Sequence, residues 1–341
     1  MIGCAIAHEL AARGARVTVF DRRGVARGAS WASAGVLAPW IEAAPSGGPL
    51  LEMCARSLGM YDDFVARVRA DGGAVFEYAR RGTFEAAFTD DQAAALERTA
   101  HVLREAGVRA EWFERDHARA LEPALSDRIV AALQIDDHGF VEMPGLVDAI
   151  AAAARMRGAA FHAPVDITKI EPAPGGAVRL HAAGGAQTFD HAVIAGGSWA
   201  NRLKAGAPQV RPVKGQLVRL RFDTPPSARV LWSDACYMVP WQDGTLLVGA
   251  TVEDAGFDER TTAGGTASLL EAAAALLPAA REAQFVEARA GLRPKLADDT
   301  AVPFIGPAPG LANVTVASGH FRNGVLLAPL TASLVAETAL G

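Results

Sequence analysis

Two arginines in unusual surroundings, Arg293 and Arg322, carry the sharpest chemistry legible in this chain. Each sits beside glycine, proline or asparagine in an apolar stretch, "AGLRPKL" and "GHFRNGVLLAP", rather than on a charged helix face. A planar guanidinium in such a setting offers a fork of charge-assisted donors suited to a small carboxylate. The loop around Arg322 is bounded by Gly319 and Gly324 and runs into an apolar helix. Glycines let backbone N–H groups come close to a ligand, and a helix N-terminus behind them favours an electron-rich group. Tyr237, in "DACYMVPW", has a hydroxyl that could complete a carboxylate site; taken alone it reads as a core or cross-strand tyrosine.

Other routes to catalysis find little support. The eight histidines, including His138, His162 and His320, show no His-x-x-x-His or His-Cys spacing, so no metal site is expected. Ser198 lacks the nucleophile-elbow pattern, and the three cysteines Cys4, Cys54 and Cys236 follow no paired or ligating spacing. With no nucleophile and no acid–base set, the difficult step belongs to an organic cofactor.

The elements that would position these groups begin at the N-terminus. Residues 4–13 read as a helix with an apolar face, and "RVTVFD", Arg16–Asp21, as a buried strand ending on an acid. Asp21 lies about 20 residues beyond Gly3, the spacing of an acid that bonds a ribose hydroxyl pair in a dinucleotide-binding βαβ unit. Of that unit's glycine turn the chain carries what looks like the last residue, Gly3; the usual first strand and first two glycines are not in it. "VIAGGSW", Val193–Trp199, reads as a strand running into a glycine turn, either a second approach to a dinucleotide or an ordinary strand-to-helix turn. Helices are expected from Leu50 to about Arg69, from Asp90 to Ala106, from Pro144 through Met156 and over 266–277. Strands are expected at 177–180, 188–195, 215–222, 229–232, 236–240 and 245–252. Nucleotide-type features at the start, near 190–200 and at the end, with a strand meander between, imply two domains built from non-contiguous pieces.

The 341 residues suffice for two cores. Apolar runs are short and broken by charge, so no membrane span is expected. The start is too short in apolar length for a secretory signal, and unpaired cysteines suit a reducing cytoplasm. A net charge of -5 without clusters makes nucleic acid an improbable partner.

Several ordered motifs spanning nearly the whole chain, among them "IGCAIAHELAARGARVTVFD", "GASWASAGVLAP", "VKGQLVRL", "GATVEDAGFD" and "GHFRNGVLLAP", resemble the glycine oxidase branch of the D-amino-acid oxidase family. The resemblance implies an α/β fold. Its FAD-binding Rossmann-like domain, of glutathione-reductase type and here without its first strand, would occupy 1–48, 145–206 and 288–341. An α+β substrate domain on an antiparallel sheet would occupy 49–144 and 207–287. FAD would be held non-covalently, with Gly3 at the glycine turn, Asp21 on the adenosine ribose and Ala29, Ser30, Ser33, Ala34 and Gly35 along the pyrophosphate and flavin. Gly196 and Trp199 would lie along the dinucleotide, and Gly319, His320, Phe321, Asn323 and Gly324 would face the flavin. Tyr237, Arg293 and Arg322 would hold the substrate. Phe321 stands where relatives often carry Tyr.

The implied reaction is oxidative deamination of glycine, other small amines or D-amino acids, with dioxygen giving hydrogen peroxide and the glycine imine feeding thiazole assembly for thiamine. A D-amino-acid dehydrogenase, a sarcosine-oxidase-like enzyme and a flavin-free remnant that binds amino acids are the competing expectations. A homo-oligomer stays open. The 341 residues are further expected to hold FAD more weakly than a chain extended upstream by a strand and a glycine turn.

Overall fold

The computed structural model describes residues 1–42, 47–203 and 205–341. One half of the molecule is built on short parallel strands. Thr18–Phe20 pairs in parallel with Ala160–His162, and Ala192–Ile194 pairs in parallel with Val314–Ser318. The strand Phe304–Pro307 closes the second group antiparallel to Val314–Ser318. A large cavity runs between the two groups, lined by Val17–Asp21 on one side and Ala192–Ala195 on the other.

Helices pack against these strands through small residues. The first helix, Ile2–Ala12, buries Cys4, Ala5, Ile6, Ala7 and Ala11, and lies against Gly145–Met156 and the last helix Ala328–Leu340. Alanine-rich faces let helix axes approach closely, at the cost of less apolar area per residue. Ion pairs reinforce the contact. Asp71 bonds His8 at 2.7 Å and Arg157 at 2.5 Å, while Glu9 bonds Arg13 at 2.8 Å and Arg67 at 3.0 Å. Three helices are thereby tied by two carboxylates.

The other half is an eight-stranded sheet in the order 284–296, 210–221, 245–249, 237–240, 230–232, 83–87, 131–135, 110–114. All its neighbours are antiparallel except Val230–Trp232 with Thr83–Ala87. Its spine is the long pairing of Val210–Arg221 with Gln284–Leu296. Ala263–Leu276 packs on this sheet, its first turn capped where the Gly265 N–H donates to Thr262 Oγ1 at 3.1 Å.

Most of the expected elements are present, with informative differences. The helix expected over Leu50–Arg69 is two helices, Gly48–Gly59 and Tyr61–Gly72, broken at Gly59-Met60. The break aims the Tyr61 hydroxyl at the Val325 carbonyl oxygen, to which it donates at 3.0 Å. Both helices share one apolar cluster with the first and last helices, through Leu50, Cys54, Phe64, Val65 and Val68. The packing therefore crosses the division expected at 48/49. The strands "TFEAA" (Thr83–Ala87), "AEWFE" (Ala110–Glu114) and "AALQI" (Ala131–Ile135) are not among the expected ones; they are short, mix strand formers with alanine and glutamate, and owe their form to sheet neighbours. The expected strand 245–252 is regular only to Gly249; beyond it the pairing with Val210–Arg221 continues irregularly, the Thr251 N–H donating to the Gln216 carbonyl oxygen at 3.3 Å and the Glu253 N–H to that of Lys214 at 2.9 Å.

Phe64 is 2% exposed in the shared helical cluster. Phe64→Ala is expected to cost about 3–5 kcal/mol, read as a lowered urea midpoint for the far-UV transition.

Candidate active site

One cavity of about 1080 Å³ joins the two halves. Small-molecule sites span roughly 300–1,000 Å³, so the volume suits a large ligand. At one end stands Asp21, at the tip of Thr18–Phe20. Its Oδ1 accepts the N–H groups of Arg23 and Gly24, both at 2.8 Å, which fixes the turn after the strand. Met1–Cys4, at the opening of the first helix, line the neighbouring wall with Ala29, Ser30, Ser33 and Ala34. Gly196 and Trp199 come from the turn after Ala192–Ile194. A Cβ at Gly196 would stand 3.1 Å from Ala200 Cα, so glycine there allows the strand-to-helix turn to close tightly.

Tyr237, Arg293 and Arg322 line the same cavity with Pro294, His320, Phe321 and Gly324. Arg293 lies on Gln284–Leu296. Its Nη1 donates to the carbonyl oxygens of Thr251 at 3.0 Å and Lys214 at 3.4 Å. A buried guanidinium needs such partners, since an unpaired charge away from water is costly. Burial lowers its pKa and the charge of Arg322 adds to that, while Tyr237 and Glu42 oppose it. Burial also pushes the Tyr237 phenol up to about 12, so the hydroxyl stays neutral.

Two glycines make room for these side chains. A Cβ on Gly215 would stand 2.3 Å from both terminal nitrogens of Arg293, and one on Gly249 would stand 2.4 Å from the Tyr237 hydroxyl. The Thr251 carbonyl is in turn steadied by a polar cluster behind it. Thr251 Oγ1 accepts the Gln216 N–H at 2.8 Å and donates to Glu253, which takes Gln216 Nε2 at 2.7 Å and the buried Lys214 ammonium at 3.4 Å. Of this cluster only the "GATVEDAGFD" and "VKGQLVRL" motifs gave notice, and as motifs, not as a network.

The loop with Arg322 is fastened to the same strand. The Phe321 N–H donates to the Pro294 carbonyl oxygen at 2.8 Å, with Phe321 at φ +47°, a conformation uncommon outside glycine. His320 is buried; its Nε2 bonds Thr331 Oγ1 at 3.0 Å, and burial pushes its pKa down to about 3, so it is neutral. Arg322 itself is exposed into the cavity.

Of the residues expected to border the cavity, Gly35, Gly319 and Asn323 do not line it. Gly35 has φ +72°, and a Cβ there would fall 1.8 Å from the Val141 carbonyl oxygen, so its glycine serves strand packing. Gly319, at φ +79°, makes way for Leu296, whose Cγ would be 2.5 Å from a Cβ. Asn323 is 4% exposed and its Oδ1 is buried without a hydrogen-bond partner among the described residues. Glu42, at the end of Pro39–Glu42, lines the cavity and was missed, since a lone glutamate after "PWI" gives no sequence signal.

Fold and site together define a dinucleotide-cofactor oxidoreductase. The profile of the FAD dependent oxidoreductase (DAO) family matches residues 1–338, and the chain belongs to that family. It is 35% identical to the glycine oxidase of Geobacillus kaustophilus (strain HTA426) over 99% of this chain and 90% of that protein. It is 33% identical to the bifunctional protein ThiO/ThiG of Synechocystis sp., over 100% of this chain and 50% of that protein. The crystal structure of glycine oxidase from Geobacillus kaustophilus superposes with a TM-score of 0.94 at 34% identity, covering 99% of this chain and 92% of that one.

The residues present fit FAD. Asp21 lines a cavity of about 1080 Å³ together with Ile2–Cys4 from the first turn of the first helix, and the buried Arg23 Nη2 has no partner among the described residues.

The Gly215 contact generates a test. Gly215→Ala is expected to leave the fold intact, because the crowded atoms are the end of a flexible side chain, and to displace Arg293. Acetate affinity, measured by calorimetry, should fall about ten-fold or more, the loss of one charge-assisted hydrogen bond.

Proposed function

We propose that this chain oxidises glycine and other small amines or D-amino acids to the imine, which hydrolyses to the oxo acid. FAD, when bound, accepts two electrons from the amine-bearing carbon and passes them to dioxygen, giving hydrogen peroxide. The observation that carries the reading is the meeting of Tyr237, Arg293 and Arg322 on one cavity with Asp21. The names of the similar proteins support the choice of glycine.

The chain's own residues have distinct tasks in this reading. Arg293, with Nη1 committed to backbone carbonyls, offers its remaining donors to the substrate carboxylate. Arg322 meets the same group from the loop, and the neutral Tyr237 hydroxyl adds a donor. Orientation of the substrate, with its α-carbon toward the cofactor, supplies the catalysis, and no protein nucleophile is required. The glycine-flanked loop around His320 and Phe321, together with Gly3, Ala29, Ser30, Ser33, Ala34, Gly196 and Trp199, surrounds the cofactor.

All three cysteines are buried, and none follows Cys236, which supports non-covalent FAD and a reducing compartment, the cytoplasm. No helix among the described residues is long and apolar enough to cross a membrane. In this reading the glycine imine feeds thiazole assembly.

Acid precipitation of the yellow protein is expected to release free FAD into the supernatant; colour left on the pellet would refute non-covalent binding. Arg293→Lys keeps charge and loses the fork, so glycine binding should weaken about ten- to hundred-fold with normal FAD content. Steady-state kinetics with glycine, sarcosine and D-alanine check this, and an unchanged apparent affinity for all three rejects the clamp.

A further inference from the structure

Glu42 brings a carboxylate to the wall that holds Tyr237, Arg293 and Arg322. The other carboxylates lining the cavity among the described residues, Asp21, Asp166 and Asp190, belong to the dinucleotide end. The Asp21 carbonyl accepts the Val165 N–H at 2.9 Å, and Phe189, next to Asp190, packs on Phe20 with ring centroids 6.0 Å apart. Glu42 acts on Arg322 and Arg293 through space, without a hydrogen bond to either, so its carboxylate is not consumed by the clamp.

A small amino acid bound by its carboxylate to two guanidinium groups carries its ammonium within a few bonds of them. Two cations beside a third are repelled unless an anion faces it. Hydride can leave the α-carbon only after the ammonium has lost a proton, because the nitrogen lone pair drives the step. One well-placed carboxylate answers both needs.

We propose that Glu42 is the amine-side partner of the substrate, holding its ammonium group and accepting the proton that the amine gives up. An N–H bond of the ammonium breaks, an O–H bond forms on the Glu42 carboxylate, and the electron pair stays on nitrogen. This assignment rests on the amine-oxidising reading above.

The surroundings suit a proton acceptor. Burial raises the Glu42 pKa to about 7, opposed by Arg322 and then Arg293. Tyr237, on the sheet, and Cys54, on Gly48–Gly59, are the titratable groups facing it from the other elements. Both have pKa values pushed up, to about 12, and stay neutral near pH 7. A carboxyl titrating near the working pH can take a proton from one substrate and release it before the next. The competent form is the carboxylate, so flavin reduction by glycine should rise as pH climbs through about 7.

The test uses the FAD-loaded protein, its Glu42→Gln and Glu42→Asp variants, and Arg293→Lys as a control. Anaerobic calorimetry on the dithionite-reduced protein, which glycine cannot reduce further, measures glycine, which has an amine, and acetate, which has none; stopped-flow absorbance of the oxidised protein follows flavin reduction from pH 5.5 to 9 (a range of about two units either side of neutrality). Glu42→Gln should weaken glycine about ten-fold or more. Acetate affinity should stay unchanged or rise, and the pH limb near neutrality should vanish. Glu42→Asp should restore part of the glycine affinity and keep the limb. Parallel changes for glycine and acetate, or no change for either, would overturn the assignment. Failure of the amine-oxidase reading has a different signature: glycine does not reduce the wild-type flavin, or Arg293→Lys leaves acetate binding untouched. The glycine-to-acetate affinity ratio in Glu42→Gln still judges Glu42 in that event, since it does not depend on turnover.

Discussion

A permanently charged guanidinium buried in the cavity wall is the constraint around which this molecule is arranged. Arg293 cannot shed its charge, so the fold must satisfy it where it stands. The carbonyls of Thr251 and Lys214 do so. Both need the strand Val210–Arg221 beside Gln284–Leu296, and Thr251 held against it just past Gly249, its N–H donating to the Gln216 carbonyl oxygen at 3.3 Å. Gly215 and Gly249 supply the space. The polar cluster of Gln216, Thr251, Glu253 and Lys214 then prevents the Thr251 carbonyl from turning away. Lys214 and Gln216 are buried while Thr251 and Glu253 are partly exposed, so the network anchors the carbonyl from the inside outward.

The second arginine depends on the first. The Phe321 N–H is bonded to the Pro294 carbonyl oxygen, so the loop bearing Arg322 is registered against the strand bearing Arg293. Ser57 and Tyr61 hold the far side of that loop, donating to the carbonyl oxygens of Leu326 and Val325 at 2.7 and 3.0 Å. The helix pair Gly48–Gly59 and Tyr61–Gly72 thus links the dinucleotide core to the substrate end. Packing and site geometry are the same set of contacts seen from two sides.

Substrate choice in such a cavity follows from charge order. In the proposed reading, two guanidiniums and a phenol attract a carboxylate and a carboxyl at Glu42 attracts the amine. A plain monocarboxylate would satisfy half of that arrangement, and an amine without an acid the other half.

The sequence by itself determined the local signals: the strand ending in Asp21, the glycine turn near residue 196, the helix from Asp90, the body of the helix expected over 266–277, and the arginines in apolar settings. These are legible because capping, turn chemistry and periodicity act over a few residues. It also carried the motif order that marks the family. Only the tertiary structure decided the rest. The strands Thr83–Ala87, Ala110–Glu114 and Ala131–Ile135 take their places through their sheet neighbours, which such short segments do not announce by themselves. Gly35 and Gly319 look like ligand-facing glycines in sequence, yet serve strand and side-chain packing, because a glycine marks a close approach without saying to what. Glu42 stands alone in its segment, and its value near the arginines arises only when residues 42, 237, 293 and 322 are folded onto one wall. Electrostatic coupling depends on distance in space, which separation along the chain does not encode.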